Sequence, residues 1–472
     1  MQRFLLGSKH RVAGLSAVTV TLSLISPLGT AQADDAPDSQ RVETYVRPLY
    51  AEPLTLSQLQ QPQRMERLRR LKTAESSLSV LPRETIGKAR SYAPRAAQDS
   101  AQAPAPDLNP LAGAAGSPAV SLPEPAHSMK LAECIKQLGT KQFYVKSRFA
   151  VCSGRQFEQV WIVNGRPVGT SHFDVVVIGT FPKDSRTMTA TYHYFDFTAA
   201  GNNDARKMGI TTNASIPKTW PSRIRITKGG DSLPKTRLWQ DLLDGRTIKQ
   251  TIKAPSGQSG TLGKTKLLVA IYQPNIKLKA PSGWASDGFT GGDIFLLPPR
   301  WDEADYLPAA TRGGGGAFSV LTSLTYSTAE RAPERGVAAH IKKAFTKPGQ
   351  TQPPFSRKKV PGQNPDAPLT RLYHDTTRRK KNRSRAVYNC TKYFGENYSQ
   401  GGKKECDEYP FATTYEGAAG SDYDSRQDPK NFSVMPVAKT ENGAAGTLLG
   451  QYYKLNRVVD GPDDGFMVKV RS

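Results

Sequence analysis

Between residues 129 and 327, short segments rich in β-branched and aromatic residues alternate with clusters of Gly, Pro, Asn and Asp. This spacing predicts short strands joined by turns, and no long stretch has the apolar period of an amphipathic helix. Residues 128–330 are therefore expected to form a β-rich accessory domain, an antiparallel sandwich or barrel. The predicted strands cover residues 143–151, 173–181, 188–197, 248–252, 267–272 and 294–297.

The remaining segments differ in composition. Residues 1–33 have a basic start, an apolar stretch and the small-residue pattern Ala31-Gln32-Ala33, typical of a cleaved secretory signal peptide. The alternative is a single membrane anchor. Residues 34–127 are rich in Ala, Pro, Gln and Ser and are expected to be a mostly disordered spacer or pro-segment, with one short amphipathic helix within residues 54–71.

Residues 331–368, whose second half is rich in Pro, Gln and Lys, are expected to be a linker. Residues 369–472 have the size of one small domain. Their pattern of strand, strand, helix and strand predicts an α+β fold. The strands are expected around the motif described below and over residues 432–438 and 466–470, with the helix over residues 444–455.

The chain has four cysteines in two close pairs, Cys134 with Cys152 and Cys390 with Cys406. An even count in an exported chain indicates disulfides, and four cysteines allow three pairings. Local pairing is favoured because each pair then lies within one predicted domain. A zinc site is the alternative, but the sequence has neither a CxxC motif nor clustered histidines.

The chain has 65 Lys and Arg against 41 Asp and Glu, a formal net charge of +24. Such a charge predicts an acidic partner, which could be nucleic acid, an anionic cell-wall polymer or a membrane surface. General solubility is the alternative, and charge alone does not choose between these. After removal of the signal peptide, the protein is expected to be secreted and extracellular, with no membrane span.

Within this basic chain, the string CDEYPFATTYEGA at residues 406–418 holds three carboxylates, Asp407, Glu408 and Glu416. Carboxylates can accept a proton or bind a divalent metal, while surrounding cations hold a polyanion. The combination is the one that hydrolysis of a phosphodiester requires.

This string resembles the motif of the NucA/NucB-type secreted deoxyribonucleases, in which an Asp-Glu-aromatic-Pro core is followed by Glu-Gly-Gly/Ala. Two later blocks are similar to the family's Asn-x-x-Ala-Gly helix and its closing turn and strand: ENGAAGTLLGQYY at 441–453 and NRVVDGPDDGFMVKV at 456–470. The blocks occur in the family's order. The resemblance implies a small nuclease domain with a ββα-metal-like site that cuts DNA with little sequence preference.

Carried over residue by residue, the resemblance implies that Asp407, Glu408 and Glu416 are the catalytic carboxylates. It implies Asn442 and Gln451 as metal-binding positions, with Glu441 as the substitute if a carboxylate is required. A simple helix cap is the alternative role for Asn442. The cofactor expected from hard oxygen donors is a divalent metal, Mg²⁺ or Mn²⁺.

The expected general base is a carboxylate, because His374 is the only histidine in residues 369–472 and a solvated loop position is expected for it. Among the three carboxylates of the motif, Asp407 is the best placed to act as this base. Side chains alternate along a strand, so Asp407 and Glu408 are expected on opposite faces. This predicts Asp407 for the chemistry and Glu408 for an orienting or structural role.

A run of cations precedes the motif and is expected to bind DNA phosphates without reading bases. The alternative is a solvated face or a protease-sensitive linker end. The candidate DNA-binding residues are Arg378, Arg379, Lys380, Lys381, Arg383 and Arg385.

The leading hypothesis is a secreted, metal-dependent, sequence-nonspecific endodeoxyribonuclease that hydrolyses phosphodiester bonds of extracellular DNA. The first alternative is a secreted antibacterial nuclease effector. The second is a non-catalytic surface protein that binds DNA or cell-wall polymer, the latter through the β-rich domain.

Overall fold

The computed structural model describes residues 40–49, 51–75, 120–139, 141–258, 267–286 and 292–472. The predicted signal peptide lies outside the described residues. The described residues all belong to one compact unit. None of the helices in the described ranges is long and apolar enough to cross a membrane.

Strands dominate the described part of the chain. The strands are β1 Gln40–Pro48, β2 Phe143–Ser147, β3 Ala150–Val163, β4 Arg166–Thr180, β5 Thr187–Gly201, β6 Gly209–Ser215, β7 Thr219–Trp220, β8 Thr227–Gly230, β9 Lys235–Leu238, β10 Ile248–Lys253, β11 Leu267–Ala270, β12 Gln273–Lys279, β13 Ala285–Ser286, β14 Pro299–Asp302, β15 Gly316–Phe318, β16 Thr322–Ser327, β17 Leu369–Thr370, β18 Lys404–Tyr409, β19 Ser433–Ala438 and β20 Gly465–Arg471. The helices are α1 Leu56–Leu59, α2 Pro62–Glu75, α3 Leu131–Leu138, α4 Trp239–Leu242, α5 Arg335–Thr346, α6 Thr376–Phe394 and α7 Lys439–Leu455.

Strands β1 to β15 form the β region, in three sheets. The largest sheet has eight strands in the order β13-β1-β3-β4-β5-β10-β8, with β2 paired to β3. The smaller sheets are β15-β14-β11-β7 and β12-β6-β9. Phe157, Ile276 and Trp301 come from the three different sheets and are buried in one core. The β-rich character predicted for this part of the chain is confirmed.

The long hairpin of β3 and β4 follows from local sequence. Its two strands pair from Ala150 opposite Thr180 to Val163 opposite Arg166. The connecting residues, Asn164 and Gly165, have φ angles of 48° and 77°. Positive φ at both positions is what a two-residue hairpin turn needs, and Asn-Gly supplies it with little strain.

Two of the predicted strands differ from the structure. The segment 143–151 is divided by a turn into β2 and the start of β3. The segment 294–297 is irregular, although all four of its apolar residues are buried. The strand prediction for this segment was wrong because a short apolar run signals burial without specifying strand pairing.

Part of the segment expected to be disordered is ordered. Strand β1 pairs along its whole length with β3 in the main sheet. Helices α1 and α2 cover that sheet, and Leu59, Met65 and Leu68 pack on Val160 and Ile162. The amphipathic helix expected within residues 54–71 is thus present as a helix pair. The helix pair is ordered because its apolar residues are buried against the main sheet, a contact that the composition of the segment does not predict.

Strands β16 to β20 and helices α5 to α7 form the C-terminal region. Strand β20 lies between β16, which is parallel to it, and β17, which is antiparallel. Strands β18 and β19 form a separate antiparallel hairpin. The expected linker 331–368 contains α5, whose Val337, Ile341 and Ala344 share a core with Tyr453 and Phe466. This segment is therefore packed into the C-terminal region.

Buried ion pairs join the two regions. Asp464, before β20, accepts hydrogen bonds from Arg148 and, at 3.0 Å, from Arg300 Nη2. Arg457 donates to Asp302 Oδ1 from Nη2 at 2.7 Å. All five side chains are between 1% and 3% exposed. Charges so deeply buried are tolerated when they are paired and hydrogen-bonded, so these contacts fix how the two regions meet.

Both predicted disulfides are confirmed. Cys134 is bonded to Cys152, which links α3 to β3. Cys390 is bonded to Cys406, which links α6 to β18 immediately before Asp407.

Candidate active site

The predicted motif lies on the hairpin β18–β19, which is followed directly by α7. Asp407 in β18 stands opposite Met435 in β19. The next residue, Glu408, points to the other face of the hairpin, because successive strand side chains alternate. Asp407 contacts α5 through His340, whereas Glu408 contacts α6 through Arg383. The two neighbouring carboxylates therefore have separate environments.

Asp407 is held by a buried histidine. Its Oδ2 lies 2.5 Å from Nδ1 of His340, and Nε2 of the same ring lies 2.7 Å from Oγ of Ser433. A carboxylate can only accept, so Nδ1 carries the proton that is donated to Asp407, while Nε2 and the serine hydroxyl form the second hydrogen bond of the ring. Asp407 is 6% exposed, His340 1% and Ser433 0%. No hydrogen bond to Asp407 Oδ1 is formed by the described residues.

Sequence reasoning missed His340, because residues 331–368 were assigned to a linker and only His374 was considered as a histidine base. His374 is exposed and lies edge-on to the rings of Tyr306 and Tyr373. A signal for α5 was present, since Val337, Ile341 and Ala344 have the spacing of one helix face. His340 lies on that same buried face.

Glu408 forms an ion pair with Arg383 of the basic run. Burial raises the pKa of the Glu408 carboxyl, and the neighbouring guanidinium opposes this shift without cancelling it. This arrangement agrees with the orienting or structural role expected for Glu408, because its carboxylate is used to join β18 to α6.

Glu416 lies in the loop after β18. Its two oxygens accept hydrogen bonds from the backbone N and the Oγ1 of Thr370, at 2.9 and 2.7 Å. Burial raises the pKa of the Glu416 carboxyl to about 7, although the bonds from Thr370 act in the opposite direction. Glu416 also lines a cleft of about 320 Å³, together with Lys359 and Arg426. A carboxyl with this pKa can exchange a proton near neutral pH.

The motif loop is fixed by Asn382 of α6. Its Nδ2 donates to the carbonyls of Ala412 and Thr414, and its Oδ1 accepts from the backbone N of Ala419. A side chain at Gly417 would collide with this amide. The Glu-Gly part of the motif is therefore explained by close packing of the loop on α6.

Two of the proposed metal-binding residues lie on α7. The helix begins at Lys439 with Ala438 at its N-cap, so Asn442 is not the cap. Asn442 Nδ2 donates to Glu405 at 2.8 Å, which leaves its carbonyl oxygen as a donor atom for a cation. Gln451 uses both ends of its amide on the backbone of Val120 and Leu122. That arrangement gives Gln451 a packing role.

Glu441 lies in the first turn of α7, and its carboxylate contacts the beginning of α5 at Gly336. The described residues contain no group of three or more His, Cys, Asp or Glu placed to hold a metal ion. The available donors near the start of α7 are oxygens, from Glu441, Asn442 and Glu405. Oxygen donors suit Mg²⁺ or Mn²⁺, so the chemistry of these three side chains fits the expected cation. Gln451 does not fit a metal-binding role, because both ends of its amide are already hydrogen-bonded to the backbone.

The basic run lies on α6, which Asp375 caps by accepting from the backbone N of Arg378. Five of its six cations have protein partners. Arg378 is buried against the rings of Tyr415 and Tyr423, Arg383 pairs with Glu408, and both Lys381 and Arg385 pair with Asp422. Arg379 is half-buried near Tyr373, and Lys380 is exposed. Most cations of the run therefore make contacts within the protein, and fewer of them are free to meet DNA than the sequence suggests.

Comparison with protein families matches residues 358–469 to the family described as Deoxyribonuclease NucA/NucB. The matched residues include β17 to β19, α6, α7 and most of β20, and they exclude β16 and α5. No match was found among the curated proteins or the solved structures compared.

Proposed function

We propose that this protein, whose C-terminal residues 358–469 form a NucA/NucB-type deoxyribonuclease domain, is a secreted, metal-dependent endodeoxyribonuclease with little sequence preference. The family match over residues 358–469 is the observation that carries the proposal. The substrate is DNA outside the cell. Secretion is supported by the two disulfides, since disulfides persist in oxidising compartments.

Asp407 is the proposed general base. Its Oδ2 is occupied by His340, so its Oδ1 is the atom that would accept a proton from the attacking water. Glu408 supports the strand through Arg383. Glu416 is a further carboxyl in the domain whose pKa of about 7 allows it to take part in proton exchange.

Glu441 and Asn442, with Glu405 hydrogen-bonded to Asn442, are the residues proposed to hold Mg²⁺ or Mn²⁺. When bound, such a cation polarises the scissile phosphate and stabilises negative charge on the leaving oxygen. Asn442 would present its carbonyl oxygen because its amide nitrogen already donates to Glu405. Glu441 would present a carboxylate from the first turn of α7.

Supercoiled plasmid tests the reaction. We expect the purified protein to nick and linearise the plasmid in Mg²⁺ or Mn²⁺. A chelator should abolish cleavage, because the phosphate then has no cation to stabilise its transition state. Adding excess cation back is the control and should restore the rate. Intact plasmid with both metals would contradict the proposed enzyme activity.

The solvent-facing part of α6 is the proposed DNA contact. Replacing Lys380 and Lys381 together with glutamine should weaken binding to all DNA sequences, because phosphate contacts carry no sequence information. The slope of log K against log salt should fall by up to about 1.8, at about 0.9 per phosphate. Fluorescence anisotropy in chelator measures both quantities. The control is Lys454→Gln, at the exposed end of α7. An unchanged slope in the double variant would contradict the proposed DNA contact and leave α6 with only a structural role.

The low exposure of Asp407, 6%, favours one alternative, a non-catalytic protein that binds DNA. The plasmid and anisotropy measurements separate the two functions. Binding without cleavage in either metal would support the alternative, whereas metal-dependent cleavage excludes it.

A further inference from the structure

We infer that His340 is a positioning residue for Asp407, supplied by a helix outside the residues that match the nuclease family. The inference rests on the proposed function, since it assigns His340 a part in the same reaction. His340 would hold one oxygen of Asp407 so that the other is presented to water.

Both ring nitrogens of His340 are hydrogen-bonded to the hairpin. Nδ1 donates to Asp407 Oδ2 over 2.5 Å, and Nε2 is hydrogen-bonded to the Ser433 hydroxyl over 2.7 Å. The ring is therefore held at both ends, with its Nδ1–H directed at the carboxylate. A hydrogen bond to a charged acceptor is stronger than a neutral one, so it restrains the carboxylate in one orientation.

The ring itself is rigidly placed. His340 lies on the buried face of α5 with Val337, Ala338, Ile341 and Ala344. These apolar side chains belong to the main core of the C-terminal region, and β16, which precedes α5, runs parallel to β20. Because α5 is an integral part of this core, His340 has the fixed position that a supporting residue needs.

The identity of the residue at position 340 also points to this role. The other members of the α5 face are apolar, and an apolar side chain here would leave both Asp407 and Ser433 without their partner. A buried histidine costs free energy unless it is hydrogen-bonded, and here both ring nitrogens are bonded to the hairpin. One of those partners is the proposed general base.

Three variants of the full-length protein test the role: His340→Asn, His340→Gln and His340→Leu. The asparagine amide nitrogen lies near the position of Nδ1 and keeps a donor for Asp407, whereas the glutamine amide lies near Nε2 and does not. We expect kcat to fall about 10²-fold in the glutamine and leucine variants and about tenfold or less in the asparagine variant, because misplacement of a reacting group by about 1 Å has an effect of this size.

Three further measurements separate positioning from folding and from binding. KM should change less than kcat in every variant, DNA affinity in chelator should be unchanged, and thermal unfolding identifies the folded fraction used to normalise each rate. Ser433→Ala, which removes only the bond to Nε2, should reduce kcat less than His340→Leu.

The inference is overturned if wild type cleaves DNA and His340→Leu, normalised for folded protein, retains its kcat. It is also overturned if the asparagine variant is as slow as the leucine variant, or if any variant is faster than wild type, which would make α5 a cover over the site. Inactive wild-type protein would instead overturn the proposed function, and this inference with it.

Discussion

Asp407→Asn should abolish plasmid cleavage, with kcat reduced by about 10²–10⁴-fold, the contribution of a general base. Asparagine has nearly the same shape, and its carbonyl oxygen can still accept the hydrogen bond from His340. It cannot accept a proton from water at neutral pH. The loss should therefore appear in kcat, while DNA affinity in chelator stays at the wild-type value.

The control for this substitution is Glu396→Gln, which also removes one negative charge from the C-terminal region but at an exposed position. Its cleavage rate should match wild type, so that a change in net charge alone is excluded as the cause. Metal-dependent cleavage that persists in Asp407→Asn would contradict the assignment of the base while leaving the nuclease family of the domain in place. Glu416 would then be the next carboxylate to replace.

The second large effect concerns stability. Asp464→Ala should lower the free energy of unfolding by about 3–5 kcal/mol, the usual cost of breaking a buried ion pair by removing one partner. The reason is that Asp464 is hydrogen-bonded to Arg148 and Arg300, both 3% exposed or less. Without the carboxylate, the buried Arg148 loses its ion-pair partner, and the buried Arg300 keeps only the charge of Asp302, which is already paired with Arg457. Denaturant unfolding of the full chain, followed by fluorescence, measures the loss.

The neighbouring Asp463 provides a matched control, because it is exposed and differs in position by one residue. Asp463→Asn should change the free energy of unfolding by no more than about 0.5 kcal/mol. Equal stability of Asp464→Ala and wild type would show that the ion pairs do not hold the β region against the C-terminal region.

The same ion pairs predict a pH dependence. Burial acts to raise the pKa of Asp464, but the charges of Arg148 and Arg300 outweigh it and lower the pKa below the usual 3.8. A lowered pKa in the folded state means that the contribution of Asp464 is complete above the pKa of the unfolded chain. It is lost as pH falls through the folded-state pKa. The stability difference between wild type and Asp464→Ala should therefore narrow below about pH 4.

The separation of Asp407 from Glu408 could be expected from local sequence, since adjacent strand residues face opposite ways. The cysteine pairs could be expected as well, because each pair is close in sequence and lies in one region. The Asn-Gly turn between β3 and β4 is equally local. In each case the deciding geometry spans a few residues and is encoded by the residues themselves.

Other features depend on contacts between distant segments. The family resemblance predicts a metal-binding position for Gln451, yet its amide binds the backbone of Val120 and Leu122, more than 300 residues away in sequence. The basic run is continuous in sequence, but winding into α6 buries Arg378, places Arg383 against Glu408 and leaves Lys380 exposed. Neither the contacts of Gln451 nor the exposure of each basic side chain can be predicted from the neighbouring residues in sequence.

The motif and the two later blocks were sufficient to indicate the family resemblance, the three neighbouring carboxylates and the candidate base Asp407, because short-range order and residue chemistry carry that information. The partner of that base was decided by the packing of α5. His340 precedes Asp407 by 67 residues and meets it only because β16 and α5 join the C-terminal core. A contact of this kind depends on the burial of apolar surface over the whole region, which no local pattern specifies.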